Sequence, residues 1–237
     1  MKLKAIEICA NSVQSAINAS LGGADRIELC QNLNEGGTTP SWAAIKYCVE
    51  KLPLKTMVLI RPRPGNFRYN AAEFEAVKAD VVACRELGAH GVVIGFLDDE
   101  LNLDVERTRE VVELAGDMEV TFHRAFDCCR DWRKGLEQII ECGCDRVLTS
   151  GQCPTALEGV DTLREIVLQA AGRIAILAGS GVKASTAVEI VKRTGVAEIH
   201  ASCKHAVVDP RDEKLFGGYG ETDLEEVRRL CAAIAQA

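Results

Sequence analysis

Two cysteines near the start of the chain stand in closely similar contexts. The segments Ile6–Cys9 and Ile27–Cys30 each place a glutamate two residues before a cysteine. Residues two apart on a strand point to the same face, so each glutamate would share a face with its cysteine. If the segments are neighbouring strands about 4.8 Å apart, the thiolates of Cys9 and Cys30 could hold one soft ion such as Cu(I). Two buried, unreactive cysteines fit the same spacing.

A second group of residues combines a histidine with a cation and a carboxylate. His123, Arg124 and Asp127 follow an apolar run and could act as an acid–base group, an anion clamp and an orienting group. Glu7 and Glu28 add two carboxylates to these catalytic candidates. A divalent-metal site is the competing interpretation, and its ligands would be His123, His200, Glu7 and Glu28. No H-x-H or H-E-x-x-H spacing supports that metal site.

Two arginines and a glycine-rich segment predict an anion site. Arg61 and Arg63 follow one apolar run, and Gly179-Ser180-Gly181 follows a later one. Glycines at such a position let backbone N–H groups approach an anion near the start of a helix. A tight turn between a strand and a helix explains the same three residues. The polar, glycine-containing loop Glu35–Pro40 has the same two interpretations.

The elements that position these residues are indicated by an internal repeat. In four similar octets a glycine follows an amphipathic helix, as a left-handed residue at a helix end does, and a short apolar strand comes next. The octets are Gly23–Cys30, Gly88–Gly95, Gly143–Ser150 and Gly195–Ser202. Four further strand candidates each precede one octet: Ala5–Cys9, Thr56–Arg61, Val120–Ala125 and Ile174–Gly179.

Eight apolar strands that alternate with helices predict an α/β protein with a (β/α)8 barrel, and we expect one domain over residues 1–237. In such a barrel the chemistry gathers at the carboxyl ends of the strands, where the residues named above fall. The opposite strand ends carry mostly Lys, Asp, Arg or Glu, which we expect to face solvent.

Composition excludes several classes of protein. The formal net charge of −7 argues against a nucleic-acid-binding surface, which needs a basic patch. No apolar run reaches the ~18 residues of a membrane span, and the first residues lead into a strand rather than a signal peptide. The 11 cysteines are an odd number and resemble no secreted disulfide framework, which favours a reducing, cytoplasmic location.

Five stretches of the chain resemble the CutC family of copper homeostasis proteins. They are Gly22–Cys30, Glu35–Ser41, Ile60–Arg63, Val120–Asp127 and Arg146–Gly151. The resemblance implies a cytoplasmic (β/α)8 barrel that self-associates into a homo-oligomer and takes part in copper handling. It also implies that Cys9 and Cys30 align with the cysteines that hold Cu(I) in some members.

Two functions therefore remain in view. The first is a CutC-like protein that binds Cu(I) through Cys9 and Cys30. The alternative is an enzyme that acts on a small anionic or phosphorylated substrate at the mouth of the barrel. The alternative is supported by Arg61, Arg63, His123, Arg124 and the loop Gly179–Gly181. The fold alone does not choose between the two functions.

Overall fold

A closed barrel of parallel strands forms the centre of the molecule. The computed structural model describes residues 3–211 and 213–236. The barrel strands are β1 (Ala5–Ala10), β2 (Arg26–Leu29), β3 (Lys55–Leu59), β4 (Gly91–Ile94), β5 (Glu119–Phe122), β6 (Arg146–Thr149), β7 (Ala175–Ala178) and β8 (Glu198–Ala201). They pair in chain order, and β1 closes the barrel against β8.

Helices follow the barrel strands, and the last connection carries extra elements. The helices are α1 (Val13–Gly22), α2 (Trp42–Lys51), α3 (Ala71–Glu86), α4 (Val105–Ala115), α5 (Trp132–Cys142), α6 (Val160–Ala170), α7 (Ala187–Thr194), α8 (Glu213–Phe216) and α9 (Leu224–Ala235). Between β8 and α9, the antiparallel strands β9 (Lys204–Val207) and β10 (Tyr219–Thr222) form a separate ribbon. No helix in the described ranges is long and apolar enough to cross a membrane.

The predicted (β/α)8 barrel is confirmed. Equivalent apolar residues of the four octets lie in the even-numbered strands: Ile27, Val92, Val147 and Ile199. The glycines that begin the octets act as expected, because Gly23 (φ 93°) and Gly143 (φ 89°) end α1 and α5 in the left-handed conformation. The predicted strand Val120–Ala125 is too long, since the chain leaves the sheet after Phe122 and forms a 3-10 turn at Arg124–Cys128.

Two apolar layers hold the barrel and the helices together. The larger layer lies between the sheet and the helices and includes Ile8, Ile27 and Leu29. The smaller layer fills the upper part of the barrel interior, and its members are Cys9, Cys30, Met57, Leu59 and Val93. Because residues alternate along each strand, Ile27 and Leu29 face the helices while Glu28 and Cys30 face the interior.

The expectation that charged residues at the strand starts face solvent is wrong for three of them. Arg26, Arg146 and Glu198 are all buried. Glu198 accepts hydrogen bonds from both guanidinium groups, at 2.6 Å from Arg26 and 2.7 Å from Arg146. Arg146 also binds Glu119 at 3.0 Å, so a chain of alternating charges crosses the lower part of the barrel. Each of these charges has partners of the opposite sign, which offset the cost of removing it from water.

Candidate functional site

A cavity of about 800 Å³ opens at the carboxyl ends of the barrel strands. Eight of the twelve candidate site residues line it: Cys9, Glu28, Cys30, Arg61, His123, Arg124, Ser180 and Gly181. His200, from the end of β8, lines it as well. The strand ends therefore gather most of the predicted site, as parallel barrels do.

The thiols of Cys9 and Cys30 lie against each other on one side of this cavity. Their sulfur atoms are 3.7 Å apart, both side chains are buried, and neither forms a disulfide bond. The hydrogen bond with Cys30 and burial raise the pKa of the Cys9 thiol well above its usual range. Gly37, in the loop Glu35–Pro40, has φ 86° and packs on Cys30 where a side chain would collide with Leu59. This loop therefore closes one side of the thiol pair.

Glu7 lies below the thiols and is fully paired. It accepts hydrogen bonds from Arg26 and from Nδ1 of His200, the latter at 2.8 Å. Burial alone would raise the pKa of Glu7, but Arg26 and His200 lower this pKa to about 2. Glu7 is therefore a permanent anion that orients His200.

Glu28 and His200 lie next to Glu7, and both line the cavity. Burial raises the pKa of Glu28 to about 7, and its Oε2, 3.6 Å from His200 Nδ1, has no hydrogen-bond partner among the described residues. Burial alone would lower the pKa of His200, but its contacts with Cys9 and Glu7 raise that pKa well above its usual range. One ligand atom from each of Glu7, Glu28 and His200 lies within 4.8 Å of the others, so three of the four residues predicted as a divalent-metal site come together.

Arg61 also lines the cavity and is held by backbone carbonyl groups. Its Nη1 donates to the carbonyls of Glu35 (3.1 Å) and Gly37 (2.7 Å), and its Nη2 donates to that of Gly65 (2.7 Å). The side chain is buried, and within residues 3–211 and 213–236 it forms no ion pair with a carboxylate. The loop Glu35–Pro40 thus holds the Arg61 guanidinium through its own backbone.

His123 lies near Arg61 and is a neutral imidazole. Its Nδ1 accepts a hydrogen bond from the backbone N–H of Ala125 (3.1 Å), which leaves the proton on Nε2. Burial and the positive charge of Arg61 lower the pKa of His123 to about 3. A residue with a side chain at position 95 would overlap the His123 ring, so Gly95 at the end of β4 makes room for it.

Asp127 positions the neighbouring arginine. Its carboxylate accepts from Arg124 Nε (2.8 Å), from the Ser150 hydroxyl (2.9 Å) and backbone N–H (3.0 Å), and from the hydroxyl of Thr149. Arg124 also donates from Nη2 to the Ser150 hydroxyl at 2.9 Å. With its oxygens so occupied, Asp127 fits the predicted orienting role, and it does not line the cavity.

Two predicted anion-binding residues lie outside the cavity. Arg63 binds Glu73 at 2.6 Å and stacks over the ring of Tyr69. Gly179 does not line the cavity, and a side chain at this position would collide with Leu148. Ser180 and Gly181 do line the cavity, but their loop does not lead directly into a helix, because α7 begins at Ala187.

The buried charges Arg26, Arg146 and Glu198 were not among the candidate residues. The alternation of faces along a strand could have revealed Arg26, since it lies two residues before Glu28 and must share its face. The role of Gly95 in making room for His123 was not predicted, because only the folded chain brings the two residues together.

The fold and this cavity define a TIM-barrel protein with an open cavity at the mouth of the barrel. The particular family follows from comparison with known proteins: the CutC family model matches residues 4–205, and the chain belongs to the CutC family. A CutC family protein from Chromobacterium violaceum is 44% identical over 234 residues, covering 98% of this chain and 95% of the relative. One from Bacteroides thetaiotaomicron is 45% identical over 208 residues, covering 87% and 84%.

Solved structures agree with this assignment. CutC from Streptococcus agalactiae, named for copper homeostasis, superposes with a TM-score of 0.80 at 31% identity and covers 85% of this chain and 99% of its own. Phosphoribosylanthranilate isomerase from Pyrococcus furiosus has a TM-score of 0.61 at 12% identity, with full coverage of both chains, and shares the fold alone.

Proposed function

We propose that this protein is a cytoplasmic copper homeostasis protein that binds one Cu(I) ion between Cys9 and Cys30. The observation that carries the proposal is the contact between the two sulfur atoms, 3.7 Å apart, at the wall of an open cavity. Membership of the CutC family and the name of the Streptococcus agalactiae relative support copper as the metal.

The donor set suits Cu(I) better than other common metals. Cu(I) is a soft ion that prefers thiolates, whereas zinc needs four ligands. Of the other donors beside the pair, Glu7 and Nδ1 of His200 are already bound to each other. When Cu(I) binds, both thiols release their protons to solvent, and the ion held by two thiolates carries a net charge of −1. His200, which contacts Cys9 and lies next to Glu7, supplies a positive charge that offsets it.

An anaerobic titration with a chromophoric Cu(I) competitor tests the proposal. The wild-type protein should take up about one Cu(I) per chain, and Cys9→Ser/Cys30→Ser should lose this uptake. Cys128→Ser/Cys129→Ser is the matched control, because these adjacent cysteines lie outside the cavity and should leave binding unchanged. If the first variant titrates like the wild type, or if the wild type binds no Cu(I), the proposal is wrong.

Self-association is a second expectation for this family. The resemblance to the CutC family predicts a homo-oligomer without fixing the number of subunits. Light scattering on the reduced protein, with and without one equivalent of Cu(I), measures its mass directly.

A further inference from the structure

Arg61 is a buried cation whose charge is not balanced by a neighbouring carboxylate in the described parts of the chain. Three of its N–H groups donate to backbone carbonyls, and Nε has no partner there. Buried charges are normally paired, because removing an unpaired charge from water is costly. In this barrel Arg26 and Arg146 obey that rule and Arg61 does not. The copper proposal gives Arg61 no role.

His123 adds a second N–H group without an acceptor. Because Nδ1 accepts from Ala125, Nε2 carries the hydrogen, and this buried atom has no partner in the described ranges. Phe67 packs against both groups, with its ring 4.9 Å from the His123 ring and 5.2 Å from the Arg61 guanidinium. Arg124 adds a further positive charge at the rim, where 41% of its side chain is exposed.

The arrangement is built into the chain rather than left over from packing. Gly95 leaves the space that the His123 ring occupies, and a side chain at Gly36 would lie 3.1 Å from Arg61 Nη1. The backbone of the loop Glu35–Pro40 fixes the guanidinium through carbonyl oxygens, which hold it without neutralising it. Two N–H donors without an acceptor, Arg61 Nε and His123 Nε2, are thus held beside a cation that no carboxylate in the described ranges balances.

We propose that Arg61, His123 and Arg124 bind the carboxylate or phosphate group of a small organic anion, through donor groups other than the two thiols. An oxyanion offers acceptor oxygens to both unpartnered N–H groups and balances the charge of Arg61. The cavity of about 800 Å³ has the size of a small-molecule site. Phe67, a half-buried loop residue, must shift to admit the oxyanion and then supplies an apolar surface for the rest of the ligand.

Calorimetric titrations of the reduced, metal-free protein with inorganic phosphate and with malonate test the proposal. Both probes are oxyanions, and the tighter one identifies a phosphorylated or a carboxylic ligand. Arg61→Gln should weaken binding at least about tenfold. His123→Asn should have a similar effect, because asparagine can still accept from the Ala125 N–H but lacks the Nε2 donor. Arg63→Gln is the matched control, since Arg63 belongs to the same loop but pairs with Glu73 outside the cavity.

The results separate this site from the copper site. Anion binding that persists in Cys9→Ser/Cys30→Ser supports the proposal whatever the outcome of the copper titration. No saturable binding of either probe to the wild type overturns it. So does unchanged binding in His123→Asn, and this variant decides the question alone if Arg61→Gln fails to fold. Anion binding lost in the cysteine variant would also overturn it, because the ligand would then depend on the thiols.

Discussion

Arg26 and Glu198 form an ion pair of 2.6 Å inside the barrel, although each stands at the start of its strand. Glu198 is shared with Arg146, whose Nε lies 2.7 Å away, so one carboxylate neutralises two buried guanidinium groups. This pairing joins β2, β6 and β8 across the barrel, below the cavity. It supports Glu7, which binds the same Arg26.

Replacing Glu198 by glutamine should therefore destabilise the protein strongly. The side chain keeps its size, but two buried cations lose their shared anion, and we expect a loss of about 3–5 kcal/mol in the free energy of unfolding. Urea unfolding measures it. Glu137→Gln is the control, because Glu137 pairs with Arg173 at the surface and should contribute less than about 1 kcal/mol. Equal losses in the two variants would show that the buried pairing has no special weight.

Replacing Gly95 by alanine should disturb His123 directly. The added methyl group would overlap the imidazole ring and approach Ala125, so we expect a loss of about 1–3 kcal/mol and weaker oxyanion binding. Gly135→Ala is the matched control, since a methyl group there makes ordinary contacts and removes a glycine from the interior of α5. That control should be neutral or stabilising by up to about 1 kcal/mol. If Gly95→Ala bound phosphate as tightly as the wild-type protein does, Gly95 would not be needed to place the His123 ring.

Asp127→Asn should loosen the turn that carries Arg124. The amide loses acceptor capacity for the Arg124 guanidinium and for the Ser150 hydroxyl and N–H groups, at a cost of about 1–3 kcal/mol. The exposed Asp117 provides the comparison, and Asp117→Asn should change stability by less than about 0.5 kcal/mol. Thermal unfolding of both variants measures the difference. A loss no larger than that of Asp117→Asn would rule out the orienting role.

The pH dependence of stability should reveal the neutral His123. The folded protein binds a proton at His123 only near its lowered pKa of about 3, whereas the unfolded chain binds one below about 6.5. Between these values the unfolded state holds more protons, so this residue lowers stability on acidification by up to about 1.4 kcal/mol per pH unit. Urea unfolding of the wild type and His123→Asn between about pH 7 and about pH 5 measures this contribution as a difference.

The variant should lose less stability than the wild type over that range. Other ionisable groups such as Glu7 and Glu28 are present in both proteins and cancel in the comparison. The NMR signal of His123 should also show no titration near pH 6.5. Parallel stability curves, or a His123 signal that titrates there, would mean that the ring is not held neutral.

Much of the architecture was determined by sequence patterns that act locally. A glycine after each amphipathic helix can adopt the left-handed conformation that ends it, and a short apolar strand follows, so the repeat predicted the barrel. The position of Cys9 and Cys30 at adjacent strand ends follows from the same pattern. Because side chains alternate along a strand, the sequence also predicted that Glu7 shares a strand face with Cys9, and Glu28 with Cys30.

Only the tertiary structure decided which partners the buried charges find. Alternation places Arg26 on the face of Glu28, but its partners Glu7 and Glu198 come from β1 and β8, so its buried ion pairs were not predicted. Arg61 and Arg63 are two residues apart, yet one faces the cavity and the other binds Glu73. Arg63 finds its partner Glu73 nearby in the sequence, in the first turn of α3, whereas Arg61 is held by the loop Glu35–Pro40, which is distant in the sequence. That non-local contact forms only when β2 and β3 pair.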